Sequence, residues 1–316
     1  MPVTAPGIRS VAICGAGAVG GSYAERLHDL DPGSLAVVAR GERRARIERE
    51  GLTVNGRRLP VRCLEAGAGA APADLLLFGV KQHHLEQAIE DARGLVGERT
   101  TVISLLNGVA SEGALGEAYG PEKVLPAFVI GNDVVREGSR ISYTRIGTLV
   151  FGARSNDPAD PRVRAVKELL DRAGIPSRVP EDILREQWKK FILNVGVNQV
   201  TAVLRAPYRA FGQVAEVREL TRRAALEAAA VAGAEGVALG PADVEAIFPI
   251  MATLGPDGKT SMLQDVEAGR KTEVELFAGT VVELGAKHGL PTPVNELLGL
   301  MIRALERLSG SDAGPG

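Results

Sequence analysis

Short apolar runs alternate with amphipathic stretches through the first half of the chain. Positions 10–14, 35–39, 74–80 and 101–106 read as strands, and 74–80 is apolar continuously enough to be buried on both faces. A glycine-rich turn and a helix to about residue 30 follow the first run, and 84–95 reads as a helix between the last two. Strands alternating with helices predict βαβ units and a parallel sheet. Residues 141–143 and 148–151 suggest a late hairpin, and 162–173 a helix closed by Gly174. From Pro180 onward the strand pattern disappears. Helices are expected at 181–204, 211–232, 241–253, 273–287 and 295–308. The reading is an α/β, Rossmann-type, doubly wound parallel sheet over 1–180, followed by an all-α domain over 181–316. Residues 310–316, rich in Gly, Ser, Asp and Pro, are expected to form a disordered tail.

Composition narrows the function classes. The 316 residues suit two domains. Lys plus Arg is 37 against 39 Asp plus Glu, a formal charge of −2, so no basic field points to nucleic acid. No run of about 18 apolar residues exists to span a membrane, and the first ten residues lack the apolar core of a signal peptide. A cytoplasmic location follows as the expectation, with Cys14 and Cys63 as free thiols. Two cysteines and four scattered histidines supply no metal-ligand spacing.

The sharpest local signal is Gly15-Ala16-Gly17-Ala18-Val19-Gly20, which follows an apolar strand and opens a helix. Gly15 permits the sharp turn, Gly17 a close approach of backbone to a pyrophosphate, and Gly20 tight helix–sheet packing. The helix N-terminus offers free N–H groups to phosphates. Where a carboxylate would bind a ribose 2′-hydroxyl, about twenty residues on, the chain carries Arg40, with Arg43 and Arg44 nearby. A guanidinium binds a 2′-phosphate bidentately, so NADP(H) is expected over NAD(H).

Lys190, Asn194 and Asn198 recur every four residues on one helix face among Phe191, Ile192, Leu193, Val195 and Val197. A cation and two amides set in so apolar a helix need partners if buried. A second polar cluster runs from Ser261 through Asp265 and Arg270 to Glu273, where helix N-terminal charge satisfaction competes with function. Asn107-Gly108 and Lys81 follow sheet strands at the end where α/β proteins bind ligands, although Asn107 also suits a turn. His83 and His84 read as exposed residues at a helix start.

Taken in order, the glycine turn, Lys81, Asn107-Gly108, Trp188-Lys189-Lys190 through Asn194 and Asn198, and the Ser261-Met-Leu-Gln-Asp265 and Arg270-Lys-Thr-Glu273 blocks resemble the ketopantoate reductases (2-dehydropantoate 2-reductases) from about residue 11 to 308. The resemblance implies an NADPH-dependent reductase of a small 2-oxo acid, with the substrate between the two domains. It implies Lys190 as general acid and Glu273 as its partner on the reacting oxygen. Asn194 and Asn198 would hold a distal hydroxyl, Ser261 the carboxylate, and Asn107 and Lys81 the region between nicotinamide ribose and substrate. Departures are Gly258, where the family commonly has Asn, and Gln199, where it often has Pro. The segment 128–150, with Asp133 and Arg145, receives no assignment. Reduction of another 2-oxo acid, or a non-catalytic NADPH sensor, stand as alternatives, and a homodimer is left open.

Overall fold

The computed structural model describes residues 7–65, 67 and 70–310. The chain divides into two compact units, Met1–Ile183 and Leu184–Gly316. Residues 311–316, most of the expected tail, lie outside the described residues.

The first unit is built on six parallel strands: β1 (Val11–Cys14), β2 (Leu35–Ala39), β3 (Arg62–Glu65), β4 (Leu75–Phe78), β5 (Thr101–Ser104) and β6 (Val124–Leu125). Their spatial order is β3-β2-β1-β4-β5-β6, so the winding reverses between β1 and β4. Every residue of β1, β2 and β4 is buried, which explains their unbroken apolar runs. Alternate side chains feed two cores. Ile13, Val37 and Leu77 pack with Tyr23 and Leu27 of helix α1 (Ala18–Leu30) on one face. Ala12, Cys14 and Phe78 pack with Leu85 and Ile89 of α3 (Leu85–Ala92) and Leu115 of α4 (Ser111–Tyr119) on the other. Helix α2 (Gly41–Glu50) buries only Ile47, as its charged sequence requires.

The expected hairpin at 141–151 does not form. Arg140–Ser142 instead pairs with Val135–Glu137 and with Leu52–Val54, in a small four-stranded sheet. Thr148–Phe151 pairs antiparallel with Ala127–Ile130 and parallel with Ser177–Arg178. Asp133, between the Ala127–Ile130 and Val135–Glu137 strands, accepts hydrogen bonds from the backbone N–H groups of Thr144 and Arg145 at 2.9 and 2.7 Å, in the turn that separates the two stretches. The two apolar stretches therefore serve different sheets. Helix α5 (Pro161–Arg172) closes this unit, with Asp160 capping its N-terminus through Arg162 N–H.

The second unit is helical: α6 (Ile183–Leu204), α7 (Ala215–Ala234), α8 (Ser261–Glu267), α9 (Thr280–His288) and α10 (Pro293–Leu308), joined by shorter turns. Helix α7 buries Ala224, Ala225, Ala228, Ala229 and Ala232. A methyl at Gly196 of α6 would stand 2.9 Å from the Thr221 carbonyl, so glycine permits the close α6–α7 approach. Two expected helices are interrupted. Val214 adopts an extended conformation between Ala210–Gln213 and α7. Pro249, which lacks an N–H, weakens the helix pattern where Pro241–Glu245 and Ile247–Ala252 separate.

Candidate functional site

Four sequence-predicted positions fall at the carboxyl ends of adjacent parallel strands. In spatial order these are Arg40 after β2, Gly15–Gly20 after β1, Lys81 after β4 and Asn107 after β5. Strand spacing places the outer two roughly 15 Å apart. Gly15 has φ +93°, and a side chain there would stand 2.5 Å from Val80 Cγ1 and 2.8 Å from the Gly79 carbonyl carbon. A side chain at Gly20 would run into the Gly15 carbonyl. Gly15 is thus fixed by the close passage of the Gly79–Val80 segment after β4, and Gly20 by the β1–α1 turn, rather than by general flexibility. No side chain caps α1 at Gly17, so the first-turn N–H groups are left for an anion. Ala16 is buried, whereas Ala18 and Val19 are half-buried at the helix opening.

Arg40 is exposed at the N-cap of α2. Its guanidinium is held by the Asp91 carboxylate of α3, with the Nε–H donating at 3.1 Å and Nη2 completing the pair. Gln87 donates to the same carboxylate at 3.0 Å. Arg44 turns away to Glu48 and Glu65, each at 2.8 Å. Arg43 has no acidic partner among the described residues. Burial, then Arg136 and Arg46, hold its guanidinium pKa below the usual value. Lys81 is exposed and Asn107 half-buried, with Gly108 in the left-handed region at φ +90°. His83 and His84 are exposed, their rings 4.1 Å apart.

In the second unit α6 carries Lys190 and Asn194 half-buried and Asn198 buried. Two contacts bring this helix against the other predicted cluster. Phe191 packs on Phe277, ring centroids 6.3 Å apart, four residues beyond Glu273. One helical turn away Trp188 meets Phe191 edge-on at 5.4 Å. At the far end the Thr201 hydroxyl lies 2.8 Å from that of Thr260, and Thr260 caps α8 immediately before the exposed Ser261. Lys190 therefore shares its end of α6 with the Glu273 segment, and Asn198 shares the other with Ser261. The half-buried Glu273 also positions backbone, because its carbonyl accepts from Leu276 and Phe277 N–H and opens a π-turn over Glu275–Gly279. Asp265 pairs with Arg270 at 2.8 Å, which gives both a structural role at the end of α8.

Three site-supporting residues escape a sequence reading. Asp91 occupies Arg40. Glu306 of α10, 5 % exposed, accepts from Thr272 N–H at 2.7 Å and from its hydroxyl at 2.6 Å, pinning the residue before Glu273. Tyr208 explains the departure at 258, since a side chain at Gly258 would stand 2.7 Å from its ring. The other departure, Gln199, is fully buried and donates to the Val195 carbonyl at 2.8 Å and to Asn295 at 2.9 Å. Among the described residues no His/Cys/Asp/Glu cluster fits a metal ion, and no helix is long and apolar enough to cross a membrane.

A doubly wound sheet with a glycine turn at its reversal point, joined to a helical unit, defines a two-domain protein with a Rossmann-type first unit. Two family models match, ketopantoate reductase PanE/ApbA over residues 11–156 and its C-terminal counterpart over 182–306. The chain belongs to the ketopantoate reductase family of oxidoreductases that act on CH–OH groups. It is 30% identical over 245 residues to the 2-dehydropantoate 2-reductase of Pyrobaculum aerophilum, covering 78% of this chain and 81% of that protein. The crystal structure of 2-dehydropantoate 2-reductase from Geobacter metallireducens superposes with a TM-score of 0.79 at 28% identity, covering 93% of this chain and 99% of that one. A D-mandelate dehydrogenase solved with NADH and anilino(oxo)acetate shares the fold at TM-score 0.81 and 22% identity, covering 95% and 99%.

Proposed function

We propose that the protein reduces 2-dehydropantoate to pantoate with NADPH. Its first unit would bind the cofactor, and Lys190 of the helical unit would act as general acid. The observation that carries this reading is that the helix bearing Lys190, Asn194 and Asn198 packs, through Phe191 and Thr201, against the segments that carry Glu273 and Ser261. The glycine turn and uncapped α1 would hold the pyrophosphate, Arg40 the 2′-phosphate, and Lys81 and Asn107 the nicotinamide side. The reduced nicotinamide, when bound, supplies the hydride. As the ketone oxygen gains charge, the Lys190 ammonium donates its proton to that oxygen, and Glu273 accepts a hydrogen bond from the ammonium or the product hydroxyl. A carboxylate beside the lysine favours its charged, proton-donating form. Asn194 and Asn198 would orient the substrate hydroxyl, and Ser261 its carboxylate. Both thiols are free, which suits a reducing cytoplasm.

Lys190→Ala is expected to lower kcat by about 10²–10⁴-fold, with NADPH binding retained. Near-normal turnover in this variant would remove Lys190 from the mechanism. A second reading, reduction of a different 2-oxo acid, is favoured by the Tyr208 ring against Gly258, where the resemblance leads one to expect an amide. Oxidation of NADPH followed with 2-dehydropantoate and with other branched or aromatic 2-oxo acids separates the two by their kcat/KM. Binding of NADPH with no turnover on any of them would leave the non-catalytic sensor.

A further inference from the structure

The turn that carries Asn107 rests on a buried polar chain. Ser104 ends β5, Ser111 opens α4 and Glu112 follows it, and the three are 0, 1 and 3 % exposed. The Ser111 hydroxyl lies 2.8 Å from that of Ser104 and 3.0 Å from Glu112 Oε2, and Ser104 Oγ accepts from Leu106 N–H at 3.2 Å. Each serine has one proton to give, whereas a carboxylate only accepts. With Glu112 ionised, Ser111 therefore donates to Glu112 and Ser104 donates to Ser111, which leaves a Ser104 lone pair for Leu106 N–H. Every bond in this chain then points toward the carboxylate, and such bonds polarise one another. The Ser104–Ser111 bond spans seven positions and closes like a clasp beneath the turn. Within that span stand Asn107 and Gly108, the latter left-handed at φ +90°. Ala110, the N-cap of α4, makes no side-chain bond, so it is Ser111 that ties the helix start to β5. Burying a carboxylate is costly even when it is hydrogen-bonded. A turn that only had to be closed would be held better by apolar side chains.

We propose that Glu112 is a positioning residue, which acts through Ser111 and Ser104 to hold the 105–110 turn, and Asn107 with it, in a single conformation. This role rests on the reading that Asn107 serves the nicotinamide side of the cofactor. In the sheet β5 lies beside β4, which lies beside β1 and its glycine turn. A cofactor held at the glycine turn therefore meets Asn107 only if the turn after β5 keeps its place. A displacement of about 1 Å there is enough to lower the rate by about 100-fold. The carboxylate fixes the direction of both serine hydroxyls, so the Leu106 N–H always finds an acceptor and the residue after it leaves the strand at one angle.

The test compares Ser104→Ala, Ser111→Ala, the double variant, Glu112→Ala, Glu112→Gln and Asn107→Ala. Each is read by oxidation of NADPH with 2-dehydropantoate, by calorimetric titration with NADPH and with adenosine 2′,5′-bisphosphate, and by thermal unfolding. Ser111→Ala is expected to lower kcat/KM by about 10–100-fold and to weaken NADPH. The bisphosphate, which lacks the nicotinamide end, should bind as it does to the wild type. Adding Ser104→Ala should lower kcat/KM little further, because the two hydroxyls share one bond. Glu112→Ala should do at least as much as Ser111→Ala, and Glu112→Gln, which keeps an acceptor oxygen for Ser111, should recover part of the loss. Variants that lose thermal stability alone, with turnover and NADPH affinity of the wild type, would overturn the proposal. So would an equal loss of NADPH and bisphosphate binding, which marks a disrupted first unit. Asn107→Ala separates this role from the reading beneath it. Wild-type turnover in Asn107→Ala would remove Asn107 from the site and the positioning role with it. An impaired Asn107→Ala beside unimpaired Ser111→Ala and Glu112→Ala would overturn the positioning role alone.

Discussion

The Arg40–Asp91 pair of the first unit yields a quantitative expectation if the proposed NADPH binding holds. Arg40 is the only guanidinium directly at the end of β2, and Asp91 occupies its Nε and Nη2 donors. Its side chain is 55 % exposed and that of Asp91 13 %, so water screens the pair and its worth is at most about 1 kcal/mol. A 2′-phosphate must draw on the same guanidinium while facing the Asp91 charge. Asp91→Asn keeps an oxygen to accept the hydrogen bonds but removes that charge. It should tighten NADPH by about 2–5-fold and leave NADH unchanged. Arg40→Ala removes a charge-assisted contact of about 1.5–3 kcal/mol, taken at its lower end for an exposed group, and should weaken NADPH by roughly tenfold, again sparing NADH. In the Arg40→Ala background, Asp91→Asn should tighten NADPH by less than in the wild type, because the competition for the guanidinium is gone and only the carboxylate's repulsion of the phosphate is relieved. Calorimetric titration of the four proteins with both cofactors at one fixed ionic strength reads all of these. Were Asp91→Asn to weaken NADPH alongside Arg40→Ala, Asp91 would be orienting the guanidinium rather than competing for it. Were both cofactors to change equally, Arg40 would not face the 2′-phosphate at all.

Other expectations follow from single contacts. Glu306→Ala leaves the Thr272 N–H and hydroxyl without their buried acceptor, which should cost about 1–3 kcal/mol in urea unfolding. Glu306→Gln, which keeps an acceptor oxygen, should recover part of that loss. The Thr144 hydroxyl and then the Arg145 N–H hold the Asp133 carboxyl down at about 2. A depressed carboxyl stabilises its turn fully above about pH 4 and loses that contribution as pH falls toward 2. Protection of the Thr144 and Arg145 amides, taken relative to the intrinsic exchange rate at each pH, should fall over that interval in the wild type and stay constant in Asp133→Asn. Burial pushes the Cys14 thiol pKa well up, and Cys63 is only half-buried. A thiol reagent should therefore modify Cys63 in the native protein and Cys14 only on unfolding, as counted by mass spectrometry.

The elements that were legible in the sequence are those whose signals are local. The buried strands announced themselves because both faces are covered, so β1, β2 and β4 read as unbroken apolar runs. The glycine turn was legible because β1 and α1 are neighbours in the chain, and Gly20 must clear the Gly15 carbonyl only five residues away. The stripe of Lys190, Asn194 and Asn198 needed only helical periodicity. The short strands at 52–54, 57–59 and 135–137 were missed because each is a three-residue piece, the last two are mostly exposed, and the pairing that joins the two local hairpins sets Thr53–Val54 beside Arg140–Ile141, far along the chain.

Pairing was decided by the tertiary structure alone. Asp91 finds Arg40 across 51 residues, Glu306 finds Thr272 across 34, and Tyr208 meets Gly258 across 50. An acid on a helix looks alike whether it faces solvent or a guanidinium, so periodicity carries no trace of these matches. Local order along the chain determined which side chains could do chemistry in this protein. Long-range packing decided which of them are already engaged, because burial and charge compensation depend on neighbours that no stretch of sequence contains.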